Sequence, residues 1–240
     1  MKRPALFLFL CLTSCLALHA APAVPESPRT TQFFAADSVD PKKLIPAPPA
    51  PDSLIQHAEI EMMVAIQAVR TPAQVALAEK VQSEDVFVFG SDVLGEWFNA
   101  ANLPETAAFF AQIREELTPV GHATKKMFNR RRPPFQDARI KPCVEYSDTS
   151  SYPSGHAAQS ALWAALLGAV YPEHAAAFAD RAATTRWARV LGGAHHPTDV
   201  EAGRVIGEAE GVIMLKNPAV QKALAKLRTE AEPFLLKKAA

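Results

Sequence analysis

Apolar side chains recur with the period of a helix along most of this chain. Ile55, Ala58, Met62, Ile66 and Val69 follow one another at spacings of 3, 4, 4 and 3 residues, which predicts a helix with those side chains on its buried face. Thr71-Pro72 sets a capping residue before a first-turn proline and opens the next helix. Gly90-Ser91 predicts the close of one segment and the start of another. Leu103-Pro104-Glu105 opens a helix carrying Phe109, Ile113 and Leu117 on one face. Residues 155–171, 173–191, 198–215 and 219–230 continue the pattern, and no stretch alternates with period two over β-branched residues. The predicted fold class is all-α, a single-domain helical bundle. Its centre is Ala161 to Tyr171, an apolar run that ends at Pro172. That run falls well short of the roughly 20 residues needed to cross a bilayer, so it reads as a buried central helix.

The amino end departs from this pattern. Met1-Lys2-Arg3 precedes an apolar run from Ala5 to Leu18 and the small residues Ala20-Ala21, which reads as an export signal over residues 1–20, cut after Ala20. Leu12-Thr13-Ser14-Cys15 offers a second route, with lipidation at Cys15. Either route predicts a periplasmic or secreted protein. Residues 21–51 hold eight of the chain's 20 prolines, with Phe33-Phe34 and Leu44-Ile45 as apolar anchors. They read as an extended arm able to wrap a neighbouring subunit in a homo-oligomer. Residues 52–240 form the helical domain. Loss of the signal after Ala20 would remove Cys11 and Cys15 and leave Cys143 without an intramolecular partner, so the fold rests on its core alone or Cys143 pairs between chains, and Cys143 reads as a loop thiol without function.

Charge narrows the partners. Lys plus Arg and Asp plus Glu are both 25, so a nucleic acid polymer or an anionic membrane is not the main partner. Any anion recognition must be local, and three clusters are suited to it. In the first, Lys125 and Arg132 are seven residues apart, nearly two helical turns, which predicts both on one side of a helix that Pro133 ends. An ammonium and a forked guanidinium together suit a tetrahedral oxyanion, although a basic run also suits a solvated helix end. In the second, Ser151-Tyr152-Pro153-Ser154-Gly155-His156 leads into the apolar helix, so a serine cap and free N–H groups form an anion site with His156 in the first turn, although the same string also suits a plain helix cap with an exposed histidine.

The third cluster runs from Arg189 through Gly192-Gly193 to His195-His196-Pro197-Thr198-Asp199. A carboxylate four residues after His195 can accept from one imidazole nitrogen and leave the other as base or nucleophile. Asp199 could instead only cap its helix, or join His195 and His196 around a metal. His57, His122 and His174 lie on helical segments without carboxylates at ligand spacing and read as surface or packing residues, so no metal is predicted.

The combined pattern resembles the signature of the type 2 phosphatidic acid phosphatase superfamily. It comprises Lys125, six residues, Arg132-Pro133; Pro153-Ser154-Gly155-His156; and Arg189, five residues, His195, three residues, Asp199. The export signal and the Ser-Tyr-Pro-Ser-Gly-His string most resemble the bacterial class A non-specific acid phosphatases, over roughly residues 44–230. The resemblance implies hydrolysis of small-molecule phosphate monoesters. His195 would attack phosphorus to form a phosphohistidine, Asp199 would orient it, and His156 would protonate the leaving alcohol. Water would complete hydrolysis, or an alcohol would take the phosphoryl group. Lys125, Arg132, Ser154, the Gly155 backbone and Arg189 would hold the phosphoryl oxygens. Three fixed cations would stand in for metal ions, and no cofactor is implied. An acidic optimum follows from a neutral His195 and a protonated His156.

One position departs from the resemblance: Ala188 stands where the family has serine, so Arg189 loses a hydroxyl neighbour. The same pocket chemistry also admits a vanadate-dependent haloperoxidase, a lipid phosphatase or a phosphate-binding protein without turnover. Substrate range is expected to depend on a rim around Glu84 to Asn102 and Phe135 to Thr149.

Overall fold

The computed structural model describes residues 32–238. The signal segment with Cys11 and Cys15, and the first part of the arm, lie outside the described residues. In chain order the helices are α1 (Pro41–Leu44), α2 (Leu54–Val69), α3 (Pro72–Gln82), α4 (Val86–Leu94), α5 (Pro104–Phe128), α6 (Pro133–Gln136), α7 (Gly155–Val170), α8 (Ala175–Leu191), α9 (Pro197–Lys216) and α10 (Pro218–Lys238), with a 3-10 turn at Pro172–His174. No strand occurs among the described residues, so the fold is all-α. None of the described helices is long and apolar enough to cross a membrane.

Small residues decide which helices touch. Gly203, Gly207 and Gly211 recur every four residues along α9 and lie on one face. A Cβ at Gly203 would drive into the Ser154 carbonyl and one at Gly207 into the Ala158 carbonyl, while one at Gly211 would lie 2.8 Å from Ala165 Cβ. The backbones of α7 and α9 therefore meet almost directly. Their close approach lets the Ser154 N–H donate to the Asp199 carbonyl at 2.9 Å, which joins the second and third clusters. α7 buries Leu162, Trp163, Leu166, Leu167 and Val170 in an aromatic core with Phe89, Phe98, Phe109, Phe110, Tyr171 and Phe178. It is the central helix the apolar run predicts.

Caps and breaks largely follow the sequence. Thr71 caps α3 in a reciprocal capping box with Gln74, and Ser154 caps α7. Gly90 does not break its segment, because α4 runs through it from Val86 to Leu94. The Phe98 ring occupies the place a side chain would take, so this glycine serves packing and not a turn.

The α2 face is turned relative to the apolar periodicity. Ile55, Met62 and Val69 are exposed at 59%, 41% and 77%, whereas Gln56, Glu59, Ile60 and Met63 are buried. The two buried polar side chains satisfy a buried arginine, and leaving that cation unpaired costs more than exposing three apolar side chains.

The arm is also more ordered than an extended tether. Glu116 accepts from the backbone N–H groups of Gln32, Phe33 and Phe34 at 2.9, 3.0 and 2.8 Å, and Phe33 packs on Phe109 with centroids 5.1 Å apart. Ile45 is buried with Tyr152, Ala202 and Ile206. Residues 32–51 thus lie on the chain's own body and include the short helix α1.

Candidate active site

Lys125 and Arg132 reach the site by a break in the helix, not by helical spacing. α5 ends at Phe128, Asn129 is left-handed at φ 47°, and Arg132 caps α6. Lys125 Nζ donates to the Ser150 carbonyl at 2.8 Å. Arg132 Nε donates to the Thr149 carbonyl at 3.1 Å, and Nη2 to Ser147 Oγ and Thr149 Oγ1, each at 3.3 Å. Its Nη1 donates to the Ala194 carbonyl and lies 3.1 Å from His195 Nε2.

That last contact assigns the His195 tautomer. A guanidinium only donates, so Nε2 presents its lone pair and the ring proton sits on Nδ1. Nδ1 lies 2.9 Å from the Ser151 carbonyl and 3.5 Å from Asp199 Oδ2. The nearer acceptor is therefore the carbonyl, with the Asp199 charge just behind it. Burial, then Arg132 and Lys125, hold His195 well below the usual imidazole range, although Asp199 opposes them.

Asp199 combines two roles that the sequence left as alternatives. It accepts from His196 N at 2.8 Å, which caps α9, and it faces His195. Its Oδ2 also accepts from the Ser151 hydroxyl and lies 3.2 Å from His196 Nδ1. Its Oδ1 accepts from Arg130 Nη1 at 2.6 Å. Burial alone would raise its pKa, yet these donors and the Arg130 charge hold it well below the carboxylate range.

Ser154 is fully buried, accepts from Ala157 N at 3.4 Å and has its own N–H committed to Asp199. Gly155 and His156 supply the next N–H groups of the α7 terminus, where the helix dipole favours an anion. Gly155 stands beside Lys125, whose Cε lies 4.0 Å from where a Gly155 Cβ would be. His156 Nε2 lies 3.2 Å from the Gln82 carbonyl. Arg189 is 2% exposed, donates from Nη1 to Gln82 Oε1 at 2.5 Å and has no hydrogen-bond partner for Nε among the described residues.

Three cations converge here, Arg132 and Arg189 buried and Lys125 half-buried. Burial, then Arg132 and Arg189, push Lys125 down to about 8, with Asp199 opposing. Burial, then Arg132, push Arg189 down to about 10. Burial, then Arg189, drive His156 down to about 3. A site that raises the energy of its own cations this way is stabilised by an anion.

All eight candidate residues of the sequence stand in this one place. His57 and His122 are exposed and His174 is half-buried. Three further participants escape sequence reasoning. Arg130 is buried and donates to Asp199, Thr198 Oγ1, Gln56 Oε1 and Glu59 Oε2 at 2.6–2.7 Å. Glu59 Oε1 also accepts from Thr198 N at 2.6 Å. Gln82 contacts both His156 and Arg189. Arg130 sits within the basic run, but nothing in its spacing distinguishes it from the exposed Arg131. The partly exposed rings of Phe135 and Tyr146 meet edge to face with centroids 5.5 Å apart.

A helical fold whose central helix, capped at its amino end, faces a paired histidine and aspartate among buried cations defines an anion-handling enzyme. The PAP2 superfamily profile matches residues 107–221. The chain is 33% identical over 217 residues to a non-specific acid phosphatase of Salmonella typhimurium, covering 85% of this chain and 86% of that protein. It is 30% identical over 239 residues to a non-specific acid phosphatase of Salmonella typhi, covering 96% and 93%. An acid phosphatase of Zymomonas mobilis is 27% identical over 241 residues. The chain belongs to the PAP2 superfamily, on the branch of the bacterial non-specific acid phosphatases. It is an acid phosphatase.

Proposed function

We propose that this acid phosphatase hydrolyses phosphate monoesters through a phosphohistidine on His195, without a metal ion. The observation that carries the reading is His195 itself, whose Nε2 lone pair faces the cations while Nδ1 is tied to the Ser151 carbonyl ahead of Asp199. On substrate binding, Arg132 Nη1 transfers its hydrogen bond from Nε2 to a phosphoryl oxygen, which frees the nucleophile. Lys125, Arg189 and the Gly155 and His156 N–H groups take the remaining oxygens and stabilise charge in the transition state.

The lone pair of Nε2 then forms the N–P bond as the P–O bond to the alcohol breaks, and His156 gives its proton to the departing oxygen. The positive charge on the His195 ring is met at Nδ1–H by the Ser151 carbonyl and Asp199. In the second step neutral His156 takes a proton from water as its oxygen attacks phosphorus. The N–P bond breaks, its electron pair returns to Nε2, and inorganic phosphate leaves. An alcohol in place of that water gives phosphotransfer. The bound phosphate dianion raises the His156 pKa towards the working pH, which an isolated imidazole in this field would not reach.

The amino-terminal pattern supports export to the periplasm or beyond, with the mature chain starting at Ala21. Hydrolysis of p-nitrophenyl phosphate at acidic pH with excess EDTA, alongside His195→Ala, tests the mechanism. Activity that survives the chelator, vanishes in the variant and leaves an acid-labile phosphoprotein on rapid quenching is expected. Loss of activity to EDTA alone would overturn the metal-free reading.

A further inference from the structure

Arg189 lacks the serine neighbour its family pattern calls for, since Ala188 carries no hydroxyl. It is fixed from another element. Gln82, the last residue of α3, holds Arg189 Nη1 through its side-chain oxygen at 2.5 Å. The same residue places its backbone carbonyl 3.2 Å from His156 Nε2. α3 belongs to none of the three clusters, and it is seated against α8 where buried Ala78 lies 3.4 Å from the position of a Gly192 Cβ.

We propose that Gln82 is a positioning residue for both the leaving-group acid and one phosphate-binding cation. This rests on the roles given above to His156 and Arg189. A carbonyl only accepts, so Gln82 assigns a hydrogen to His156 Nε2 and makes Nδ1 the atom that delivers the proton to the alcohol. As the final carbonyl of α3 it also carries the negative end of that helix's dipole. It therefore favours the imidazolium against three cations that face His156: Arg189 from α8, Lys125 from α5 and Arg132 at the cap of α6.

The side chain acts differently. A neutral amide aligns the guanidinium without cancelling its charge, and it leaves Nε free for a phosphoryl oxygen. The carboxylate acting on Arg189 is Glu84, already committed to Arg181 at 2.6 Å and to Thr185 at 2.8 Å. A carboxylate at position 82 would neutralise Arg189, and an apolar side chain there would release it.

The test uses the mature enzyme with Gln82→Met and Gln82→Glu, beside Arg189→Ala and His156→Ala. Inhibition by inorganic phosphate and the pH profile of p-nitrophenyl phosphate hydrolysis are measured for each. Both Gln82 variants should weaken phosphate inhibition by about tenfold or more, Gln82→Met through the loss of a buried hydrogen bond to a charged group and Gln82→Glu through neutralisation of Arg189. Gln82→Glu should also shift the acidic optimum to higher pH, because a negative charge beside Arg189 and His156 eases protonation of His156. It is nearly isosteric with the parent residue, so it keeps the experiment readable if the methionine variant folds poorly. Wild-type inhibition and an unmoved profile in Gln82→Glu would overturn the proposal. Should Arg189→Ala and His156→Ala retain full activity, the assignment of those two residues fails instead.

Discussion

Arg130 Nη1 donates to Asp199 Oδ1 at 2.6 Å, and both side chains are buried at 5% and 0% exposure. The second guanidinium nitrogen is held by Glu59 and Gln56, so the carboxylate facing His195 is the end of a buried chain that begins on α2. Asp199 is fixed from behind by this cation and from the side by the Ser151 hydroxyl and the α9 backbone.

Removing the cation leaves two buried carboxylates without a counter-charge. Arg130→Met is expected to lower stability by about 3–5 kcal/mol, read as a shift in the urea midpoint. A midpoint within error of the parent would mean that water reaches Asp199 and Glu59 in the folded state.

The pH dependence has two limbs of different origin. Burial, then the Arg189 charge, hold His156 down to about 3, so its protonated fraction grows as pH falls, while His195 stays neutral. The kcat/KM for p-nitrophenyl phosphate should rise from about pH 7 towards about pH 5, the reverse of a reaction limited by a neutral base alone. On the alkaline side Lys125, pushed down to about 8, loses its charge as pH rises past that value. Inhibition by inorganic phosphate should weaken there, and Lys125→Arg should hold it level.

Glu210 on α9 is 6% exposed, and burial raises it to about 8 from the ordinary 4.5. A carboxyl raised in the folded state stays protonated there while the unfolded chain ionises. Folding stability therefore falls as pH rises from about 4.5 to about 8, at up to about 1.4 kcal/mol per unit. Glu210→Gln should raise the melting temperature at pH 8 and leave it unchanged at pH 4. An equal gain at both would place the effect in packing and not in ionisation.

Gly207→Ala would push a methyl group into the Ala158 carbonyl and force α7 and α9 apart. A loss of about 1–3 kcal/mol is expected. Because the same contact carries Asp199 to Ser154, activity should fall further than stability alone accounts for at temperatures where the variant is fully folded.

The three clusters are legible because each is local: a helix end, a capped helix start, and a histidine with a carboxylate one turn away. Their neighbours in the chain supply the caps, breaks and dipoles that shape them. Where the sequence misleads, the deciding partner is distant. Ile55, Met62 and Val69 look like a core face, but Gln56 and Glu59 turn inward to meet Arg130, which is 71 residues from Glu59. Gly90 looks like a break until Phe98 fills the space beside it.

By itself the sequence determined the helical period, the caps and the residue types suited to binding and attacking a phosphoryl group, since these depend on spacing along one segment. Only the tertiary structure decided which arginine faces His195 and which faces Asp199. It also decided that the end of α3 holds Arg189 from 107 residues away. The reason is that a buried charge must be paired, and in this chain the groups that pair Arg130 and Arg189 arrive from helices far along the sequence.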